Sequence, residues 1–260
     1  MRADALLYGS GLAESRSKAQ QMIREGCVYA GGKPVKKPSA DLPEDTVFSI
    51  VRLTESFVGR GGVKLLAALS DFGIDPAGMH CLDVGASTGG FTDCLLKKGA
   101  ASVTAVDCGR DQLAPSLRAD PRVRSVEGLN ARYMTREDVG DGYDLAVMDL
   151  SFISLTYVLP AIPPLLGESG RIVALIKPQF ELDAKSVSKG VVRGAEKRLK
   201  ALERVYDFLP GVGLTPRAFS VSPIKGGDGN TEYLCFLEKT REGGKPAFRR
   251  DGLKELARDR

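Results

Sequence analysis

The stretch Cys81-Leu82-Asp83-Val84-Gly85-Ala86-Ser87-Thr88-Gly89-Gly90-Phe91, followed by Val103-Thr104-Ala105-Val106-Asp107, decides the fold. A short apolar run enters a glycine-rich turn, residues 91–98 read as a helix, and a second apolar run ends in an acid. That is one strand–helix–strand unit of a parallel sheet. The alternation continues outward. Residues 123–126 read as a third strand, 143–148 as a fourth and 171–176 as a fifth. Residues 216–221 and 232–237 supply two more, joined through the turn Gly226-Gly227-Asp228-Gly229-Asn230. The expected fold class is α/β: a Rossmann-like seven-stranded sheet, preceded by a small α+β domain.

A glycine turn between strand and helix lets a ligand approach the backbone, and an acid about 20 residues on accepts hydrogen bonds from ribose hydroxyls. Both a dinucleotide and S-adenosylmethionine fit that much. Ser87 stands where the dinucleotide fingerprint has its second glycine, the residue that admits a pyrophosphate. The loop therefore favours S-adenosylmethionine, with a purely structural glycine turn as the competing reading. The expected cofactor residues are Gly85, Ala86, Ser87, Thr88, Gly89, Gly90 and Phe91, with Asp107 at the ribose and Asp83 at the methionine amino group. Asp149 completes the set. Asn130, after the third strand, fits an adenine contact and equally fits a turn asparagine bonded to its own backbone.

Three polar residues fall where later strands begin or end. The fourth strand runs into Asp149 and the fifth into Lys177, while Glu232 opens the last. If that last strand returns as a hairpin, all three meet at the carboxyl edge of the sheet, where open α/β folds bind ligands. A lysine between carboxylates is commonly just an ion pair. Beside a cofactor loop it also suits methyl transfer to a ribose hydroxyl, where it orients the oxygen and assists loss of the proton. Placing the nucleophile near the methyl group contributes the rest.

Upstream, residues 2–8 read as a short helix, and Ser15 caps a second one running to about residue 25. Ala19, Met22 and Ile23 recur at helical spacing, leaving Arg16, Lys18 and Arg24 facing outward, and Gly26 ends the helix. A hairpin follows around Gly31-Gly32, and residues 46–51 close the sheet. With Arg2-Ala3-Asp4, Ser15-Arg16-Ser17-Lys18-Ala19 and Ile23-Arg24-Glu25-Gly26-Cys27-Val28, this order of elements resembles the RNA-binding domain typified by the small-subunit ribosomal protein S-four. The resemblance implies RNA contacts at Arg16, Lys18, Arg24 and Lys33. A protein-docking module is the competing reading.

Charge and composition narrow the classes. Excess positive charge sits in residues 1–40 and 241–260, around a nearly neutral body. Such flanks suit a polyanion, and equally describe a solvated surface. The five cysteines form no C-x-x-C pair and His80 is the only histidine, so no metal site is expected. Cys81 and Cys235 lie in apolar runs and read as core residues of a reducing compartment, and His80 as structural. No stretch reaches the roughly 20 apolar residues of a membrane span, and the start has no signal-peptide core. The expectation is a cytoplasmic monomer without a membrane partner.

Five motifs in order carry a closer resemblance. Gly59-Arg60-Gly61-Gly62-Val63-Lys64-Leu65, Gly85-Ala86-Ser87-Thr88-Gly89-Gly90-Phe91, Asp149-Leu150-Ser151-Phe152-Ile153-Ser154, Lys177-Pro178-Gln179-Phe180-Glu181 and Gly229-Asn230-Thr231-Glu232-Tyr233 look like those of the TlyA-type family. Its members, often labelled haemolysins, join an S-four-type domain to an FtsJ-like ribose 2'-O-methyltransferase acting on ribosomal RNA cytidines. The resemblance spans almost the whole chain. It implies S-adenosylmethionine as cofactor, ribosomal RNA or ribosomal subunits as partner, and a Lys-Asp-Lys-Glu tetrad at Lys64, Asp149, Lys177 and Glu232. Position alone does not nominate Lys64, which precedes the first strand. The implied domains are 1–52 for RNA binding, 53–58 as linker, 59–240 for methyl transfer and 241–260 as a basic tail. Some members carry an Arg-x-Trp-Val linker where this chain has Glu55-Ser56-Phe57-Val58, which lacks the arginine of that motif and has Phe57 at the tryptophan position. The fourth strand leads into neither an Asn/Asp-Pro-Pro-Tyr/Phe nor a Pro-Cys motif, which disfavours methylation of a base. The alternatives are an RNA-binding protein holding S-adenosylmethionine as a structural ligand, and, least favoured, a membrane-active haemolysin.

Overall fold

The computed structural model describes residues 1–24, 28–30, 33–35, 37–50, 57–188, 190–240 and 246–258. It divides into two units, Met1–Ser56 and Phe57–Arg260. In the first, α1 (Ala3–Gly9) and α2 (Arg16–Arg24) share a core with β1 (Val28–Ala30), β2 (Lys33–Pro34) and β3 (Phe48–Ile50). Leu7, Ala19, Ile23 and Val28 fill it. The expected hairpin and closing strand form an antiparallel sheet of order β2-β1-β3. The Ser15 hydroxyl accepts from the Lys18 N–H at 3.0 Å, as a cap should. Gly26, Gly31 and Gly32, read as turn glycines, lie outside the described residues.

Asp4 is fully buried and accepts hydrogen bonds from Arg2, Gln20 and Arg16. The Arg2 bond above all holds its carboxyl far below the usual range. Arg16, expected only to face outward, is half-exposed yet reaches back to this carboxylate at 3.4 Å, because a buried charge needs opposite charge beside it.

The second unit opens with α3 (Gly61–Asp71) and continues through β4 (His80–Val84), α4 (Gly90–Lys97), β5 (Ser102–Asp107), α5 (Pro115–Arg118) and β6 (Val123–Glu127). Then come α6 (Arg136–Val139), β7 (Tyr143–Met148), α7 (Leu155–Val158), β8 (Leu166–Ile176), α8 (Pro178–Glu181) and α9 (Ala195–Phe208). It ends with β9 (Leu214–Val221), β10 (Tyr233–Lys239) and α10 (Leu253–Arg258). The seven strands lie in the order β6-β5-β4-β7-β8-β10-β9, all parallel except β10, which runs antiparallel to β8 and β9. Both faces are covered. Cys81, Leu145 and Leu175 join Leu65 and Leu95 on one side. Leu82, Met148 and Ile176 join Leu155, Leu202 and Leu253 on the other. Burial on both faces is why the strands read as continuous apolar runs.

Two local expectations need correction. The fifth strand begins at Leu166, not residue 171: Leu166 pairs with Tyr143 of β7, and the polar run Gly167-Glu168-Ser169-Gly170 is an irregularity before pairing resumes at Arg171. The basic C-terminal stretch is no free tail over residues 246–258: Leu253 and Ala257, one helical turn apart, are buried. Phe248 packs against Phe219 with ring centroids 4.8 Å apart, and Arg250 bridges Glu203 and Asp207. Its many cations masked a short amphipathic helix.

The chain passes from β4 outward to β6, then crosses back to β7 on the other side of β4. At this reversal the connections diverge and leave a crevice at the carboxyl ends of the strands.

Candidate active site

Gly85 follows β4 with φ +87, and a Cβ there would stand 2.7 Å from the Asp149 carbonyl oxygen. The chain after β4 and the chain after β7 thus pass backbone to backbone, which only glycine permits. Ser87 occupies a left-handed conformation, and its N–H donates to Asp107 Oδ2 at 2.8 Å. Asp107 Oδ1 accepts from the Gly109 N–H at 2.7 Å. Around them opens a cleft of about 540 Å³, lined by Gly85, Ser87, Asp107, Asn130, Asp149 and Leu150 among others. Asn130 also accepts from the Arg132 N–H at 3.1 Å, so it faces the cleft while bonding to its own turn.

Asp83 lies fully buried on β4. Thr92 Oγ1 donates to its Oδ2 at 2.6 Å, while Oδ1 has no partner. Burial first, with help from the charges of Asp149 and Asp107, pushes the carboxyl up to about 7 against the Thr92 bond. A buried acceptor left without a donor suits a bound ammonium group.

A smaller recess of about 180 Å³ runs between the Gly59-Arg60-Gly61 turn and the glycine loop, and reaches Asp149, Ser151 and Lys177. Ala86, Thr88, Gly90 and Phe91 line it. Gly89 does not: its added Cβ would meet Leu117 at 2.2 Å and Leu113 at 2.8 Å, so this glycine serves packing and a φ of +95. A Cβ on Gly59 would lie 2.8 Å from Thr88 Oγ1, and one on Gly90 3.0 Å from the Gly62 nitrogen. Two glycine turns nested this closely bring α3 over the sheet edge, and α3 carries Lys64.

The result is an alternating chain of charges. Lys64 Nζ lies 2.6 Å from Glu232 Oε2 and 4.0 Å from Asp149 Oδ2. Lys177 Nζ lies 2.7 Å from Asp149 Oδ1 and donates to Ser151 Oγ at 2.8 Å. Lys64, Lys177 and Glu232 are buried. Each cation is matched by an anion, so the cluster can persist out of water. The hairpin return of β10 places Glu232 at this edge, as the spacing predicts. Arg60 adds a brace: its Nη2 donates to the Lys225 carbonyl at 2.6 Å, tying the start of α3 to the turn before Glu232.

Beyond the tetrad, Ser151, Phe152, Lys177, Phe180, Gly227 and Glu232 line an open pocket of about 500 Å³. Phe152 is 92% exposed with φ +65, and its ring centroid lies 5.3 Å from that of Phe180. Below it, Glu181 is buried and accepts from the Leu155 N–H at 2.9 Å and from Ser154 Oγ. Burial pushes this carboxyl up. Glu181 fastens the loop after β7 to the loop after β8, and no sequence periodicity marked it for that task.

Arg16 and Lys18 are exposed on α2 of the first unit. The side chains of Arg24 and Lys33 lie outside the described residues.

A seven-stranded sheet with its cleft at the topological switch point, a glycine loop and an acid at the end of the second strand defines a methyltransferase-type fold. The same fold occurs in a Listeria monocytogenes protein described as an S-adenosylmethionine-dependent methyltransferase, with a TM-score of 0.53 at 14% identity over 70% of this chain and 99% of that one. The FtsJ-like methyltransferase family model matches residues 57–239, and the S4 domain model matches residues 1–47. The chain belongs to the FtsJ-like methyltransferase family, in its TlyA-type branch with an S4 domain. It is 44% identical to the 16S/23S rRNA (cytidine-2'-O)-methyltransferase TlyA of Mycobacterium tuberculosis, over 91% of this chain and 89% of that protein. It is 42% identical to Hemolysin A of Brachyspira hyodysenteriae, over 90% of this chain and 98% of that protein. A solved Streptococcus thermophilus structure, described as a hemolysin, aligns with a TM-score of 0.77 at 39% identity, covering 99% of this chain and 94% of that one. Among the described residues no helix is long and apolar enough to cross a membrane.

Proposed function

We propose that this protein transfers a methyl group from S-adenosylmethionine to a ribose 2'-hydroxyl of ribosomal RNA, with cytidine as the target. The observation that carries this reading is the pair of ion pairs Glu232–Lys64 and Asp149–Lys177, of which Asp149 and Lys177 line the recess. The residues present fit the cofactor. Asp107 borders the cleft where ribose hydroxyls would lie, the unpartnered Asp83 Oδ1 suits the methionine ammonium, and Gly85 and Ser87 line the cleft between them and Asp149.

When bound, the cofactor supplies an electrophilic methyl carbon on a sulfonium sulfur. The protein's task is to place and deprotonate a hydroxyl. Asp149 and Ser151 hold the Lys177 amine at the junction between the recess and the open pocket. So held, Lys177 would orient the incoming hydroxyl oxygen toward the methyl carbon and assist loss of its proton. Lys64 and Glu232 keep Asp149 in place and balance the charge. Phe152 and Phe180 offer ring faces at the mouth for the base of the incoming nucleotide. The paired methyl acceptor and donor are held close, which supplies the larger part of the rate.

The test is transfer of a radiolabelled methyl group to ribosomal subunits from cells lacking the enzyme, with ribose-methylation mapping. Label on a cytidine 2'-oxygen is expected. Label confined to bases, or no transfer to either subunit, refutes the proposal.

A further inference from the structure

Three exposed side chains on the outer wall of the cleft take no part in the mechanism above. Arg132 and Tyr133 belong to a single turn of 3-10 helix, Ala131–Tyr133, that follows β6, and Tyr157 sits on α7. The Arg132 guanidinium lies over both rings, 5.5 Å from the Tyr133 centroid and 4.7 Å from that of Tyr157. Tyr133 is 67% exposed and Tyr157 48%. Four other arginines of this unit, Arg118, Arg122, Arg136 and Arg250, are matched to carboxylates. Among the described residues no carboxylate is paired with Arg132. Its charge and its five N–H donors stay open to an anion.

The mount of these groups is rigid. The Asn130 side chain accepts from the Arg132 N–H at 3.1 Å, which fixes the turn. The Tyr157 N–H donates to the Ser154 carbonyl at 3.1 Å, and Ser154 is itself bound to buried Glu181. The backbone beneath the two rings and the cation is thus fixed before any ligand arrives, which lowers the entropy cost of binding. The same elements build the cleft: Asn130 and Ala131 lead into Arg132, and Ile153 and Val158 flank the segment bearing Tyr157. Exposed Phe152 stands on that wall as well.

A cation paired with no acid among the described residues, lying over two exposed rings, matches an unpaired nucleotide. The rings stack on a base of any identity and the guanidinium takes the adjoining phosphate. We propose that Arg132, Tyr133 and Tyr157 form a ledge on which an unpaired nucleotide of the RNA substrate stacks, flanking the one that is methylated. This rests on the reading of the chain as an RNA methyltransferase. The ledge supplies grip on the strand, and the tetrad supplies the chemistry. A duplex, whose bases are already stacked on one another, should gain nothing from it.

The chain contains no tryptophan, so Tyr157→Trp installs a single fluorescent reporter on the ledge of the full-length protein. The probes are a single-stranded oligocytidylate dodecamer and a twelve-base-pair RNA duplex. Quenching by the single strand and not by the duplex is expected. In the same background Arg132→Ala and Tyr133→Ala should each weaken binding of the single strand about fivefold or more. In the otherwise native chain the two substitutions should raise KM for ribosomal subunits while kcat and S-adenosylmethionine affinity stay level. Emission unmoved by RNA, in a variant that still methylates subunits, overturns the ledge and leaves the methyltransferase reading intact. Equal quenching by the duplex overturns it too. Quenching by raised protein concentration alone, with a dimer in light scattering, gives the surface to self-association. Failure of the native chain to methylate any RNA removes the reading beneath the proposal, an outcome separate from the others.

Discussion

Replacing Asp83 with asparagine separates a structural carboxylate from one whose charge is held back for a ligand. Burial raises this carboxyl from 3.8 to about 7. That shift of about three units, at ~1.4 kcal/mol each, makes the ionised form cost about 4 kcal/mol in the folded chain relative to the unfolded one. A folded-state value above the unfolded one stabilises fully below pH 3.8 and loses that stabilisation as pH rises towards 7. Between pH 5 and pH 8 the native protein should therefore lose about 3 kcal/mol that Asp83→Asn, which cannot ionise, keeps. Asparagine still offers Thr92 an oxygen, so a constant offset of ~1–3 kcal/mol for its unpaired amide leaves the slope untouched. Urea unfolding of the second unit, followed by circular dichroism at both pH values, gives the difference directly. Parallel pH profiles for the two proteins would refute the reasoning. The cofactor gives an independent check. An ammonium beside Asp83 favours the ionised carboxylate, so S-adenosylmethionine should bind more tightly as pH rises through 7 and release a proton. Calorimetry in buffers of different ionisation heat measures that proton.

Lys177→Ala should keep cofactor and RNA binding and lose methyl transfer by ~10²-fold or more; Lys177→Arg should fail nearly as badly, because the guanidinium is bulkier and stays protonated. Near-normal turnover by the arginine variant would reduce Lys177 to an ion-pair partner of Asp149. Gly89→Val should act on stability, since its Cβ would fall 2.2 Å from Leu117 at a φ of +95; a loss of ~2–4 kcal/mol is expected. Unchanged unfolding with abolished cofactor binding would instead put the valine in the cofactor's space. Glu181→Ala leaves the Leu155 N–H and the Ser154 hydroxyl without their acceptor and should cost ~2–4 kcal/mol. Glu181→Gln, which keeps an acceptor oxygen, should cost much less; equal losses in the two variants would show that the charge and not the acceptor matters.

The strands of the second unit, the glycine loop and the acid ending β5 were legible because each is a local signal. Continuous apolar runs, positive φ and strand-to-helix spacing act over a few residues and leave their mark on the letters themselves. Asp149, Lys177 and Glu232 were legible one step further, since parallel strands with one hairpin return put their ends at a common edge. Lys64 was not. It meets Glu232 across 168 residues of chain, and only the family motif pointed to it, because the contact depends on two glycine turns nesting closely enough to seat α3 against the sheet. The direction of Gly89, the buried Glu181 clasp and the Arg132 stack belong to the same class. A sequence records where each side chain prefers to sit along its own element. Which elements come within hydrogen-bond reach is settled only when their backbones and side chains pack, and on that scale a shift of one ångström makes or breaks the site.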